Sequence, residues 1–177
     1  MNLRPYREHT PKLGAHVYID PAALVIGNVE IGEDASLWPF VVARGDVNWI
    51  RVGARSNIQD ASVLHVTHDG EYTPGGLPLI IGADVTVGHG AILHACTLED
   101  ACLIGMGATV LDGALVKTHA FVGAGAVVSP GKTVGSGELW LGNPARCVRK
   151  LSAEEIERLY YSAQHYVRLK NDYLAGR

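Results

Sequence analysis

From Leu98 onward every sixth residue is apolar: Leu98, Ile104, Val110, Val116, Val122, Val128, Val134 and Trp140. The position after each is often glycine (Gly105, Gly123, Gly135), and the fifth position is often alanine (Ala108, Ala114, Ala120, Ala126). An earlier block keeps the same step through Ile19, Val25, Ile31, Leu37 and Ala43, and two shorter runs lie between, Val52-Ile58-Leu64 and Ile81-Val87-Leu93. Six is a multiple of two, so period alone does not exclude the alternating strands of a sandwich. A long run in one register, without hairpin turn pairs such as Asn-Gly, argues against that fold and for a repeat array.

The pattern resembles the hexapeptide-repeat proteins. That resemblance implies a left-handed parallel β-helix of triangular cross-section, although the general rule for parallel crossovers would give the right hand. With three hexads to a coil, about six coils are expected. Residues 1–18 read as an N-terminal arm, 19–148 as the β-helix and 149–177 as a C-terminal amphipathic helix. Two insertions interrupt the count. One, of three residues, falls between Ala43 and Val52; the other, about residues 67–78, carries Pro74-Gly75-Gly76 and reads as a projecting loop. The step from Leu93 to Leu98 is one residue short. In the tail, Ser152-Ala153-Glu154-Glu155 is a capping box. Ile156, Leu159, Tyr160, Ala163, Val167 and Lys170 then follow at helical spacing.

Composition narrows the function. The 177 residues carry a net charge of −3, with no electrostatic footprint for nucleic acid. No apolar run approaches membrane-spanning length, and residues 1–8 lack the apolar core of a signal peptide. Cys96, Cys102 and Cys147 are an odd set without CxxC spacing, which speaks against a disulfide framework or a cysteine zinc site. A reducing cytoplasm is the expected location.

Counting places three histidines. If each hexad advances one face and the insertions sit at corners, Ala43, Leu64, Leu93 and Val110 share a face and point inward. The residues that follow, Arg44, His65, His94 and Leu111, point outward, because side chains alternate along a strand. His65 and His94 are then neighbours about 4.8 Å apart, close enough to share one metal ion. On another face Ile58, Val87 and Ile104 align, which puts Asp60 and His89 at a corner. His89 and His94 are separated by five residues, up to roughly 16 Å of extended chain. One chain would have difficulty bringing both to one ion, whereas a neighbouring subunit could. The count therefore predicts a metal at a subunit interface, with His65 and His94 from one chain and His89 from the next, closed cyclically as a homotrimer. His68, in the projecting loop, is read as a bystander.

Arg44-Gly45-Asp46, Asn57-Ile58-Gln59-Asp60, Leu64-His65, Val87-Gly88-His89 and His94 together resemble the gamma-class carbonic anhydrases, in particular a short bacterial cytosolic branch, over nearly the whole chain. The resemblance implies that His65, His89 and His94 are the metal ligands and that Gln59 orients the metal-bound water. It implies that Arg44, Asp46 and Asp60 tie neighbouring subunits together around the site; a structural ion pair with no part in the chemistry is the other reading of Arg44 and Asp60. The expected metal is Zn²⁺, with Fe²⁺ or Co²⁺ also suited to three nitrogens. The expected reaction is hydration of CO₂ to bicarbonate by a metal-bound hydroxide, since Zn²⁺ lowers the pKa of bound water to about 7.

One departure stands out. Family members relay protons through acidic residues near the site; one follows the Arg-Gly-Asp motif, where this chain has Val47, and Asp69 and Glu71 in the loop have no fixed alignment. Activity is therefore expected to be weak unless another proton exit exists. Tyr160, Tyr161 and Tyr166 are helix residues that either pack or supply a polar group. The competing functions are a hexapeptide-repeat acyltransferase with a histidine base, a metal-dependent acyl-CoA thioesterase, and a non-catalytic trimer stapled by its ion.

Overall fold

A computed structural model describes residues 2–176. Its strands stack in parallel ladders around a closed apolar core. The first and second faces form one 12-stranded sheet, because Leu24–Ile31 and Val42–Val52 run unbroken around the corner between them. The third face is an 8-stranded sheet, parallel until its last strand, Arg146–Lys150, turns back antiparallel on Glu138–Leu141. The molecule is a parallel β-helix of about eight turns.

That is more than the six coils expected from the hexad count. The difference lies at the ends, where the apolar step is too short to read. Asn2–Arg4 pairs in parallel with Leu24–Ile31, as does Lys12–Leu13, so the N-terminal residues wind a first coil. At the other end, Arg146–Lys150 extends the third face past the last hexad.

The six-residue step has a simple cause. Each face contributes a two- or three-residue strand whose apolar member points inward, and three such strands close a coil. Val25, Leu37, Ile58, Leu64, Leu93, Leu98, Ile104, Val110 and Val122 are fully buried. The alanines at the fifth positions, Ala108, Ala114, Ala120 and Ala126, are buried at the corners. Glycine after an inward residue answers a close approach between coils. A Cβ on Gly53 would collide with the backbone of Gly82 and Ala83, one coil on.

The helix α1 (Ala153–Leu174) begins at the capping box. Ser152 Oγ accepts from the Glu155 amide, and the Glu155 carboxylate accepts from the Ser152 amide at 2.9 Å. α1 lies along the third face, over Ser36–Leu37, Asn57–Ile58 and Thr86–Val87. Leu159 and Ala163 are buried against it, and Tyr166 and Tyr173 pack edge-on to Trp38. Tyr160, in the stripe by spacing, is exposed and sits 2.8 Å from His119 Nε2. Lys170 is fully buried; its ammonium donates to Asp34 at 2.5 Å and to the His16 carbonyl at 2.7 Å. Among the described residues no helix is long and apolar enough to cross a membrane.

Leu98 is an inward residue with no exposed surface. Leu98→Ala is expected to cost about 3 kcal/mol of stability, the usual range for such a cavity, read from the urea unfolding midpoint.

Candidate functional site

The ladder register brings two of the three histidines together. Ala43 pairs with Leu64, Leu64 with Leu93 and Leu93 with Val110, so the inward column is continuous. The next residue on each strand faces outward, and His94 pairs directly with His65. Their rings lie 5.1 Å apart, with His65 Nδ1 3.1 Å from His94 Nε2. Arg44 follows Ala43 on the adjoining strand, in step with His65, which follows Leu64. Its guanidinium donates to Asp46 Oδ2 at 2.6 Å within the same chain.

The third histidine is elsewhere. Ile58, Val87 and Ile104 form the inward column of the third face, as counted. His89 follows two residues after Val87, and its Nδ1 lies 2.8 Å from Asp60 Oδ2. Both side chains are about half exposed. Within one chain His89 does not meet His65 or His94, and among the described residues no three His, Cys, Asp or Glu side chains are grouped as a metal site.

Each histidine is held by its own carboxylate. His65 Nε2 lies 3.2 Å from Asp46 Oδ1, and His94 Nδ1 lies 2.6 Å from Asp112 Oδ1. An ionised carboxylate only accepts, so in each of the three pairs the facing ring nitrogen carries the proton. The other nitrogen is then a lone-pair donor: Nδ1 of His65, Nε2 of His94 and Nε2 of His89. For His65 and His94 these two lone pairs face each other at 3.1 Å. Two neutral rings in that arrangement repel, so the pair calls for a proton or a cation between them.

Electrostatics disfavours the proton. Burial pushes the His65 imidazole below its usual value, and Arg44 and His94 act in the same direction, against Asp46. Burial would raise Asp46, but its hydrogen bonds to Arg44 and His65 outweigh that and hold it below the usual carboxylate range. Asp112 is likewise held down, against its burial, by Thr67 and His94.

Asp112 escaped the sequence reading. The outward column was counted to Leu111, and Asp112 is the next residue, at the corner, from which it reaches diagonally to His94. An acidic residue at the corner beside the histidine column is the signal in the sequence. Thr67 also joins the site, donating its hydroxyl to Asp112 Oδ2.

Gln59 is buried on the third face and donates to Asn57 Oδ1 at 3.1 Å. Asn57 in turn donates to Thr86 Oγ1 at 3.0 Å, and Thr86 to Ser162 Oγ on α1 at 3.1 Å. Gln59, Gly88, Met106 and Tyr166 line a largely apolar cavity of about 340 Å³ between α1 and this face. Burial, with Asp60 adding to it, raises the Tyr166 hydroxyl pKa.

No protein-family model matches the chain. It is 51% identical over 172 residues to the protein YrdA of Escherichia coli, covering 97% of this chain and 94% of that one. It is 43% identical over 163 residues to a carbonic anhydrase of Geobacillus kaustophilus, covering 92% and 86%. A mitochondrial gamma carbonic anhydrase 2 of Arabidopsis thaliana is 46% identical over 162 residues, 92% of this chain and 58% of that one. The chain belongs to the gamma carbonic anhydrase family. Among solved structures, a putative acetyltransferase of Bacillus cereus superposes with a TM-score of 0.92 at 38% identity, covering 99% and 98% of the two chains. The gamma carbonic anhydrase fold is thus shared with proteins described as transferases, and the choice between activities rests on the side chains.

The depressed His65 value has a consequence for the metal-free protein. Between the folded and unfolded pKa the unfolded chain binds more protons, so stability falls as pH drops below about 6.5. Asp46 and Asp112 have the same sign, adding stability above the usual carboxylate range that is lost as pH falls through their lowered values. The urea midpoint of metal-free protein is expected to decline from about pH 6.5 downward, and His65→Gln is expected to remove the first part of that decline.

Proposed function

We propose that this protein is a carbonic anhydrase that converts CO₂ and water to bicarbonate at a divalent metal held between subunits of a homotrimer. His65 and His94 of one subunit and His89 of the next would hold the ion. The observation that carries this reading is the set of three carboxylate–histidine pairs, each leaving one lone-pair nitrogen. Metal-ligating histidines are held in that way by a carboxylate or carbonyl on the other ring nitrogen. The donor set fits. Two nitrogens on one tetrahedral zinc at 2.0–2.1 Å stand about 3.3 Å apart, close to the 3.1 Å between His65 and His94. Fe²⁺ and Co²⁺ suit the same nitrogens.

When bound, such an ion supplies Lewis acidity and lowers the pKa of water to about 7. The chain's own residues do the rest. Asp46, Asp112 and Asp60 fix the ring tautomers, and Arg44 keeps Asp46 ionised. Gln59 has a carboxamide held by Asn57, which leaves its oxygen to orient the attacking water. Val63 and Ile92, paired across the ladder and 39% and 44% exposed, flank the two histidines with apolar surface. That surface suits both a small apolar substrate and a covering subunit. The three cysteines are free, in keeping with a cytoplasmic location.

The transferase neighbours favour a second reading, acyl transfer or thioester hydrolysis. An acyltransferase with a histidine base has no use for three histidines each tied to a carboxylate, which is why hydration is preferred. Metal content and CO₂ hydration measured on one anaerobically purified sample, beside His94→Ala, test the choice. About one metal per chain with hydration that His94→Ala abolishes is expected. Metal without hydration would transfer the site to thioesters, and no metal under any loading condition would overturn it.

The interface assignment has its own test. His89→Ala and His65→Ala are each expected to fold and to lose the metal. Mixed and reassembled, they should regain part of it, because an intact face meets an intact corner in hybrid trimers. Asp112→Asn is expected to weaken metal affinity about 10–100-fold by competitive chelator titration, because the His94 tautomer is no longer fixed.

A further inference from the structure

The third face carries a buried polar patch beneath α1. Asn57, Gln59 and Thr86 are all buried there. Asn57 and Thr86 are ladder partners, and Gln59 follows two residues after Asn57. Below Thr86 the same column turns apolar, with Leu103 and then Phe121. From the helix side Ser162 reaches the patch, its Oγ 3.1 Å from Thr86 Oγ1.

A carboxamide donates at nitrogen and accepts at oxygen, and a hydroxyl does both, so the patch can be satisfied in two directions. In the first, each residue donates toward the helix. Gln59 Nε2 donates to Asn57 Oδ1 at 3.1 Å, Asn57 Nδ2 to Thr86 Oγ1 at 3.0 Å, and Thr86 Oγ1 to Ser162 Oγ. Gln59 Oε1 is then the free end of the chain, and Gln59 shares the wall of its cavity with Gly88, the neighbour of His89. In the second, both carboxamides turn over. Thr86 then donates to Asn57, Asn57 donates to Gln59 Oε1, and Gln59 presents its NH₂ instead. The two directions are separated by what lies at the far end. The Val85 carbonyl favours the first, since it only accepts. Its contact with Asn57 Nδ2 is 3.4 Å, however, and it already accepts the Asn57 backbone amide at 2.9 Å. The stronger preference comes from Ser162, which takes the Thr86 hydrogen. Among the described residues every buried side-chain nitrogen and oxygen has a partner. Without Ser162 the Thr86 hydroxyl would turn onto Asn57 and reverse the chain.

We propose that Ser162 is a positioning residue for hydration: it ends the chain at the helix and thereby keeps the Gln59 oxygen as the acceptor for the attacking water. The role rests on the hydratase reading above, in which Gln59 orients that water. An accepting Gln59 takes a hydrogen of the water and leaves the lone pair on its oxygen free to reach carbon. A reversed Gln59 would donate N–H to that lone pair and hold it back. Ser162 acts through Thr86 and Asn57, so the seating of α1 on the prism becomes a condition for the chemistry at the corner.

The test uses the metal-loaded full-length protein for stopped-flow hydration and its metal-free form for NMR. Ser162→Ala should fold, because alanine favours a helix and Leu159, Ala163 and Lys170 still seat α1. Its kcat/KM is expected to fall about 10-fold at unchanged metal content, because kcat/KM contains the attack on CO₂. Ser162→Thr, which keeps the hydroxyl, should restore most of it. In a Gln59→Ala background Ser162→Ala should cost nothing further, since both changes act through one group, whereas a merely structural role would add its own loss. In the metal-free protein the side-chain NH₂ resonances of Gln59, assigned by their absence from Gln59→Ala, should move in Ser162→Ala and return in Ser162→Thr. Full kcat/KM in Ser162→Ala, additive losses in the double variant, or unmoved Gln59 resonances would each overturn the proposal. Absence of hydration in the unaltered, loaded protein, with the Gln59 resonances still moving, would overturn the hydratase reading and this role with it.

Discussion

The parallel ladder fixes everything else in this protein. Its register allows no slip, because a shift of one residue would turn each inward valine or leucine out and each outward histidine in. The buried column Ala43-Leu64-Leu93-Val110 is therefore also what aligns His65 with His94. Core packing and site geometry are one constraint, and the apolar residues that stabilise the coil set the distance between two imidazoles.

The site depends on charge as much as on register. Each imidazole is committed to one tautomer by a carboxylate from a different structural device: Asp46 from the bulge between Ala43 and Val52, Asp112 from a corner, Asp60 from the third face. Arg44 and Thr67 then hold two of those carboxylates in place. The chain presents the His65–His94 pair on one surface and His89 on another, and the proposed assembly would bring one subunit's face to another's corner.

Much of this was legible in the sequence, for a physical reason. In a solenoid, sequence spacing converts directly into position, so six-residue counting placed Arg44, His65 and His94 in one column and Asp60 beside His89. What counting missed lay where the winding is irregular or diagonal. Asp112 reaches across from the corner of the next coil, which a column count does not represent. Before Ile19 the first coil has Leu3 and Leu13 facing inward with a long corner between them, so its six-residue step is not legible. The intrachain Arg44–Asp46 pair was also not visible, since the bulge that turns Asp46 back toward His65 sets its direction, not the spacing.

The buried Lys170 gives α1 a further meaning. The helix starts beside the last coil, where Arg149 grips Glu155, and its lysine is tied to Asp34 and His16 near the first. From Ala153 to Lys170 is about 26 Å at 1.5 Å per residue, and the five inter-strand steps of about 4.8 Å from Glu138–Leu141 to Ser36–Leu37 on the third face make about 24 Å. The helix is thus a ruler laid against the prism. A repeat fold can gain or lose a coil without disturbing its neighbours, but here a coil added between the two anchors would carry Asp34 beyond the reach of Lys170, so the length of the helix fixes the number of turns it spans.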